Sequence, residues 1–187
     1  FEERTQEINE EVTTLQKIAH IIAIVDCVTS LAQLGLEKQY VKPTLTADKV
    51  LSIRNGRHPV VEHFLGTEFV PNPTDLTEQH RFLLLTGPNM AGKSTYIRQV
   101  ALIVLLAHIG SFVPADHAII PLCNRIFSRI GASDALHKGL STFMVEMTET
   151  ARIIRNLTDR SLVIFDEIGR GTGTMDGMSI AQAIAEY

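Results

Sequence analysis

The run Gly87-Pro88-Asn89-Met90-Ala91-Gly92-Lys93-Ser94 constrains this chain more than any other feature. It fits G-x-x-x-x-G-K-[ST], the spacing of a turn that joins a strand to a helix and cradles phosphate. The flanks agree: Arg81-Phe82-Leu83-Leu84-Leu85-Thr86 reads as a buried strand, and the apolar stretch from Lys93 to Ile109 reads as a buried helix. Glycines let the backbone curl so that successive N–H groups point at phosphate oxygens. The helix N-terminus adds the positive end of its dipole. In such a loop Lys93 reaches the β- and γ-phosphates, and the Ser94 hydroxyl sits on Mg²⁺.

A chain of 187 residues holds one domain plus an appendage. Net charge is −4 and pI about 6.0, so no global basic field draws nucleic acid to it. Cys27 and Cys123 form no C-x-x-C pair, which reads as two structural thiols in a reduced, intracellular chain. The longest apolar run of the Lys93 helix, Val100 to Ala107, falls short of the ~20 residues needed to span a bilayer. No secretory leader is legible at the start, where Phe1 opens onto Glu2, Glu3 and Arg4. A chain that begins on Phe and ends at Glu186-Tyr187 reads as a piece of something longer.

Residues 1 to about 34 are helical by period, with Ile8, Val12, Leu15, Ile18, Ile22, Val25, Val28 and Leu31 spaced by three and four. Gly35 and Pro43 break that pattern. Residues 41 to 80 read as strands and loops, with β-like runs at Val50 to Ile53 and Val60 to Val61. Beyond the Lys93 helix, Ala118 to Pro121 and Asn124 to Ile130 read as strands. A helix is expected from about Ser141 to Asn156, with Phe143, Met147, Ala151, Ile154 and Leu157 on one face. Ser161 to Phe165 is apolar enough for a parallel strand buried on both faces. Glycines 169, 171, 173 and 177 suggest a tight loop, and a last helix begins near Ile180.

Asp166 and Glu167 close the apolar strand, where α/β sheets place their ligands. Asp166 is placed to hold the Mg²⁺ shell and Glu167 to orient and deprotonate water. Mg²⁺ favours carboxylate, hydroxyl and phosphate oxygens.

Three segments together carry a resemblance: Gly87 through Ser94 with Thr95, Ser141-Thr142-Phe143-Met144-Val145-Glu146-Met147, and Asp166-Glu167-Ile168-Gly169-Arg170-Gly171-Thr172. They resemble the ATPase domain of the MutS family of DNA mismatch repair proteins, in its bacterial mismatch-repair branch. Gly56-Arg57-His58-Pro59-Val60-Val61-Glu62 is similar to the family's lead-in, and Asp26 to Leu34 resembles the end of its lever helices. The resemblance implies an α/β, P-loop NTPase fold of ABC-ATPase type with an N-terminal helical segment. Residues 1–40 would end the lever or connector, and 41–187 would be the ATPase domain, truncated at its C-terminus. It implies ATP and Mg²⁺ as ligands, hydrolysis by Lys93 and Glu167, and clamp switching on mismatched DNA. It also implies a homodimer in which Ser141 caps the partner's nucleotide in trans, and Phe69 stacking on adenine. DNA would be met through regions absent here. A downstream partner of MutL type, a cytoplasmic, nucleoid-associated location and no membrane role follow from the same resemblance.

The sequence departs from the family at Gly173, where Ser is usual, and holds neither the family's downstream His nor its mismatch-reading domain. The transporter signature L-S-G-G-Q is absent too. Two rivals remain open at this level. One is another DNA-linked ABC ATPase, disfavoured because no long coiled coil separates the glycine loop from Asp166-Glu167. The other is a nucleotide-binding switch module with little hydrolysis.

Overall fold

The computed structural model describes residues 2–65, 68–130, 142–169 and 171–187. It divides into two compact units, Phe1–Tyr40 and Val41–Tyr187.

The first unit is one helix, α1 (Glu2–Glu37), of 36 residues. Ile21, Ile22, Ile24 and Val25 follow one another around its axis, and all are exposed. At about 100° per residue these four spread over nearly half of the circumference, a band broader than a line of positions spaced by three and four. By length and composition, Glu11–Glu37 is apolar enough to cross a membrane. A helix that larger proteins bury on all sides passes the same test. Gly35 does not end α1. The stop comes later, where Gln39 turns left-handed at φ 52. Tyr40 N–H then reaches the Gly35 carbonyl at 2.9 Å and Gln39 N–H the Leu36 carbonyl at 3.4 Å. These paired bonds satisfy carbonyls that the helix leaves open at its C-terminus.

The second unit holds β1 (Thr44–Thr46), β2 (Leu51–Gly56), α2 (Pro59–Leu65), β3 (Asn72–Leu76), α3 (Lys93–His108), β4 (His117–Pro121), β5 (Arg125–Ile130), α4 (Thr142–Arg155), β6 (Ser161–Asp166) and α5 (Thr174–Glu186). Four strands form one sheet in the order β1-β4-β2-β3. In it β1 runs parallel to β4, while β2 is antiparallel to both β4 and β3. A second sheet pairs β5 with β6 in parallel, from Arg125 against Ser161 to Ile130 against Asp166. The parallel strand expected at Ser161 is therefore present, ending on Asp166, but only its Ile164 is buried and the rest of it is half-buried, so it is not enclosed on both faces as expected.

Helix α3 joins the two sheets. It packs on β2 on one side and on β5 and β6 on the other. Ile103, Val104 and Ala107 pack with Leu51, Ile53, Val113, Ala118 and Ile120 in one core, flanked by Ile126 and Leu162. This helix matches its sequence expectation in extent, with Val100, Ile103, Val104 and Ala107 buried, although Leu105 and Ile109 are exposed.

Three further expectations fail. Arg81 to Thr86 forms no strand. Phe82, Leu83 and Leu84 are exposed. An apolar run becomes a strand only when its N–H and C=O groups find a ladder. Here the run pairs with neither the β5-β6 sheet nor the edge strands β1 and β3 of the larger one. Val60 and Val61 are helical, not extended, because Pro59 stands at the first helical position. The His58 Nδ1 also accepts from both following N–H groups at 3.3 Å. This cap outweighs the β propensity of two valines. Helix α5 starts at Thr174 rather than Ile180, and Gly177 lies within it.

Ile103 is fully buried where α3 meets the core. Ile103→Ala is expected to lower unfolding stability by about 2–5 kcal/mol, read from the midpoint and slope of a urea transition followed by circular dichroism.

Candidate functional site

The glycine loop leads into α3. Gly92 occupies the N-cap at φ 85, with no side chain capping the helix and no acidic residue in its first turn. The free N–H groups of that turn and the dipole's positive end are thus not neutralised by α3 itself. Gly87 (φ 147) and Gly92 have no heavy atom within 4 Å of where a Cβ would stand, so the loop is open on these sides. Met90 also adopts a left-handed φ of 65. Lys93 Nζ donates to the carbonyls of Gly87 at 2.7 Å and Pro88 at 2.6 Å. The ammonium is folded back onto the loop backbone. Pro88, Asn89, Met90 and Ala91 are exposed, and Lys93, Ser94 and Thr95 are half-buried. This surface suits a polyphosphate: open backbone, one fixed cation and a hydroxyl at the helix start.

The carboxylates lie at the end of β6. Asp166 is half-buried and Glu167 exposed. Glu167 turns out of the strand at φ 57, a conformation costing a side-chain-bearing residue roughly 1–2 kcal/mol. Because α3 packs against β6, the loop helix and the carboxylate strand are neighbouring elements.

Phe69 is half-buried shortly before β3. That strand is tied to the first turns of α3 by the Tyr96 hydroxyl, 2.8 Å from Thr74 Oγ1 and 3.0 Å from the Pro73 carbonyl it donates to. The segment bearing Phe69 thus leads directly into a strand bonded to the loop helix. Ser141 lies outside the described residues. Helix α4 is described from Thr142.

Two buried charged residues not singled out in the sequence stand beside the end of β6. Glu146 and Arg129 are both buried, at 2% and 6% exposure. Glu146 Oε1 accepts from the Gly169 N–H at 2.6 Å. Arg129 Nη1 stands 3.9 Å from the same oxygen and donates to the Asp166 carbonyl at 3.4 Å. The signal for Glu146 was available. The buried face of α4 is Glu146, Thr150 and Ile153, one step round from the expected Phe143-Met147-Ala151 stripe. An acid in the middle of a helix's inner face needs a partner.

The fold and the site together define a small α/β domain built around a glycine-loop helix and a carboxylate-ended strand. Residues 83–187, more than half of the chain, match the family model MutS domain V, and the chain belongs to the MutS family. The DNA mismatch repair protein MutS of Clostridium kluyveri is 56% identical over 189 residues, covering 100% of this chain and 22% of that protein. The protein of that name from Methanococcoides burtonii is 54% identical, covering 100% of this chain and 21% of its own length. That of Halothermothrix orenii is 56% identical over 96% of this chain and 20% of its own length. The chain thus spans about a fifth of the curated relatives it matches.

His58 stands in the lead-in to this domain, buried at the start of α2. Burial pushes its pKa below the ordinary histidine value, helped by the positive charge of Arg98 and opposed by a backbone hydrogen bond. The folded state therefore favours neutral imidazole, and the unfolded chain takes up a proton first as pH falls. Its contribution to stability is expected to be complete above the unfolded pKa of about 6.5 and to shrink as pH drops through and below that value. Urea midpoints compared at intervals between pH 8 and pH 5, with His58→Gln as the reference, check this.

Proposed function

We propose that this chain binds and hydrolyses ATP as the nucleotide-driven part of a DNA mismatch repair protein. The observation that carries the reading is Lys93, its ammonium bonded across the open glycine loop at an uncapped helix start. Kinship with proteins named for mismatch repair supports the wider role. The reading includes a P-loop NTPase fold of ABC-ATPase type, with residues 1–40 as the end of a lever and 41–187 as ATPase domain.

Backbone N–H groups between Gly87 and Thr95, other than at Pro88, which has none, would hold the phosphates, with Lys93 neutralising charge on the β- and γ-oxygens. Ser94 and Asp166 would hold Mg²⁺. Among the described residues no three His, Cys, Asp or Glu side chains gather as metal ligands. That suits Mg²⁺, which takes one or two carboxylates together with substrate phosphates and water. When bound, Mg²⁺ offsets phosphate charge. Glu167 would orient a water and accept its proton as the water oxygen bonds to the γ-phosphorus. The bond from that phosphorus to the β–γ bridging oxygen breaks, and ADP leaves with the electron pair. Catalysis in this chemistry is mostly positioning and electrostatics. Phe69 would stack on adenine.

The reading extends to the assembly. A second MutS-type subunit would contribute its own Ser141 to cap the nucleotide, and nucleotide state would switch a clamp on mismatched double-stranded DNA. DNA contact would lie in other parts of the protein, and a MutL-type protein would act downstream. Gly173, in place of the family's usual Ser, removes one hydroxyl from the loop between β6 and α5.

In the full-length protein, Lys93→Ala is expected to weaken ATP binding at least ~10-fold, the scale of losing hydrogen bonds to a charged group. Glu167→Ala is expected to leave Mg-ATP affinity intact and slow phosphate release ~10²-fold or more. Calorimetric titration and phosphate release measured on both variants test the assignment. Unchanged affinity in Lys93→Ala defeats the loop reading. Tight binding with negligible wild-type turnover would make the protein a nucleotide switch instead.

A further inference from the structure

Residue 167 is held from both sides by one buried ion pair. Arg129 Nη1 donates to the carbonyl of Asp166, the residue before it, at 3.4 Å. Glu146 Oε1 accepts from the amide of Gly169, two residues after it, at 2.6 Å. The pair closes the bracket, Nη1 lying 3.9 Å from that same Oε1. On its outer side the guanidinium Nε is 3.6 Å from Glu149 Oε2. The two sides of the bracket come from different elements, Arg129 from β5 and Glu146 from α4.

The distances discriminate between two roles. A pair kept only for packing would make its shortest bonds within itself. Here the carboxylate is 1.3 Å closer to the loop amide than to the guanidinium (3.9 minus 2.6). Burying two charges is costly, and apolar replacements often stabilise such sites. Retention of the pair therefore calls for something it holds in place. The loop it holds has little freedom elsewhere. A Cβ on Gly169 would stand 2.7 Å from the Gly177 backbone of α5, and one on Gly171 would stand 2.8 Å from Phe143 Cβ of α4.

We propose that Glu146 is a positioning residue for hydrolysis: its reach to the Gly169 amide fixes the backbone that presents the Glu167 carboxylate, and ties that backbone to α4. This rests on the ATPase reading above. What counts is the reach of the acceptor oxygen, not the negative charge. Glu146→Gln keeps an oxygen at the same distance and loses the charge. Glu146→Asp keeps the charge and shortens the side chain by one methylene.

The experiment uses the full-length protein, with Mg-ATP affinity and single-turnover hydrolysis measured on wild type, Glu146→Gln, Glu146→Asp and Glu146→Ala. Glu146→Asp and Glu146→Ala are expected to hydrolyse at least ~10-fold more slowly, as displaced catalytic groups do. Their nucleotide affinity should stay within about threefold of wild type, since the Glu167 carboxylate that the loop presents would act on water and not hold the nucleotide. Glu146→Gln should hydrolyse within about threefold of wild type. Should Glu146→Ala fail to fold, the Asp and Gln variants decide between themselves. Asp active with Gln impaired would overturn the proposal in favour of charge pairing, and wild-type rates in both would overturn any positioning role. Wild-type protein that binds ATP without hydrolysing it would defeat the ATPase reading and this inference with it. Active wild type with an active Asp variant defeats the inference alone.

Discussion

Burial of α3 between two separate sheets is the contact on which the rest of the Val41–Tyr187 unit depends. The larger sheet and the β5-β6 pair share no strand, so the helix is what they have in common. Ile103 and Val104 are wholly enclosed at that junction. The same helix begins on Gly92, so the packing that joins the sheets also sets where the open loop points. Each enclosed branched side chain contributes about 1.5–3 kcal/mol. Against a typical net stability of roughly 5–15 kcal/mol, a few such residues decide whether the loop has a fixed scaffold.

Features that depend on near neighbours in the chain were legible. The glycine loop, the helix following it, the parallel strand ending on Asp166 and the helix after Ser141 rest on spacing and periodicity, and the fold contains each element. What escaped depended on strand partners distant in sequence or on uncommon caps close by. Arg81 to Thr86 has a strand's composition, but no ladder receives it, and composition carries no information about partners. Val60 and Val61 were misread because His58 acts as a cap through its ring nitrogen, an uncommon cap residue. Gly35 looked like a stop, yet Gln39 takes the left-handed turn instead. For the site, the sequence pointed to the groups that would touch nucleotide. It left out Glu146 and Arg129, whose importance appears only when β5, α4 and the loop after β6 come together.

Electrostatics divides the site into an exposed half and an enclosed half. Glu167 is exposed and Lys93 half-buried, while Arg129 and Glu146 are enclosed and bonded to backbone groups. In a less polar surround hydrogen bonds are stronger and an unmatched charge is more costly. Enclosed, paired charges make stiff fixtures, whereas the more accessible Lys93 ammonium, held only by loop carbonyls, can exchange them for other acceptors. The arrangement puts rigidity behind the Asp166 strand end and adaptability in front of it.

The approach of Gly169 to Gly177 also bears on how this sequence can drift. A Cβ at either position would fall 2.5–2.7 Å from backbone atoms of the other, and backbone cannot swing aside as a side chain can. Neither glycine can be relieved by a compensating change at its counterpart, because neither has a side chain left to shrink. Most neighbouring pairs in a protein can exchange volume over evolutionary time, one growing as the other contracts. This pair has no such path. A lineage that varied either position would first have to move α5 away from the loop, giving up the backbone contact that now sets the spacing between them.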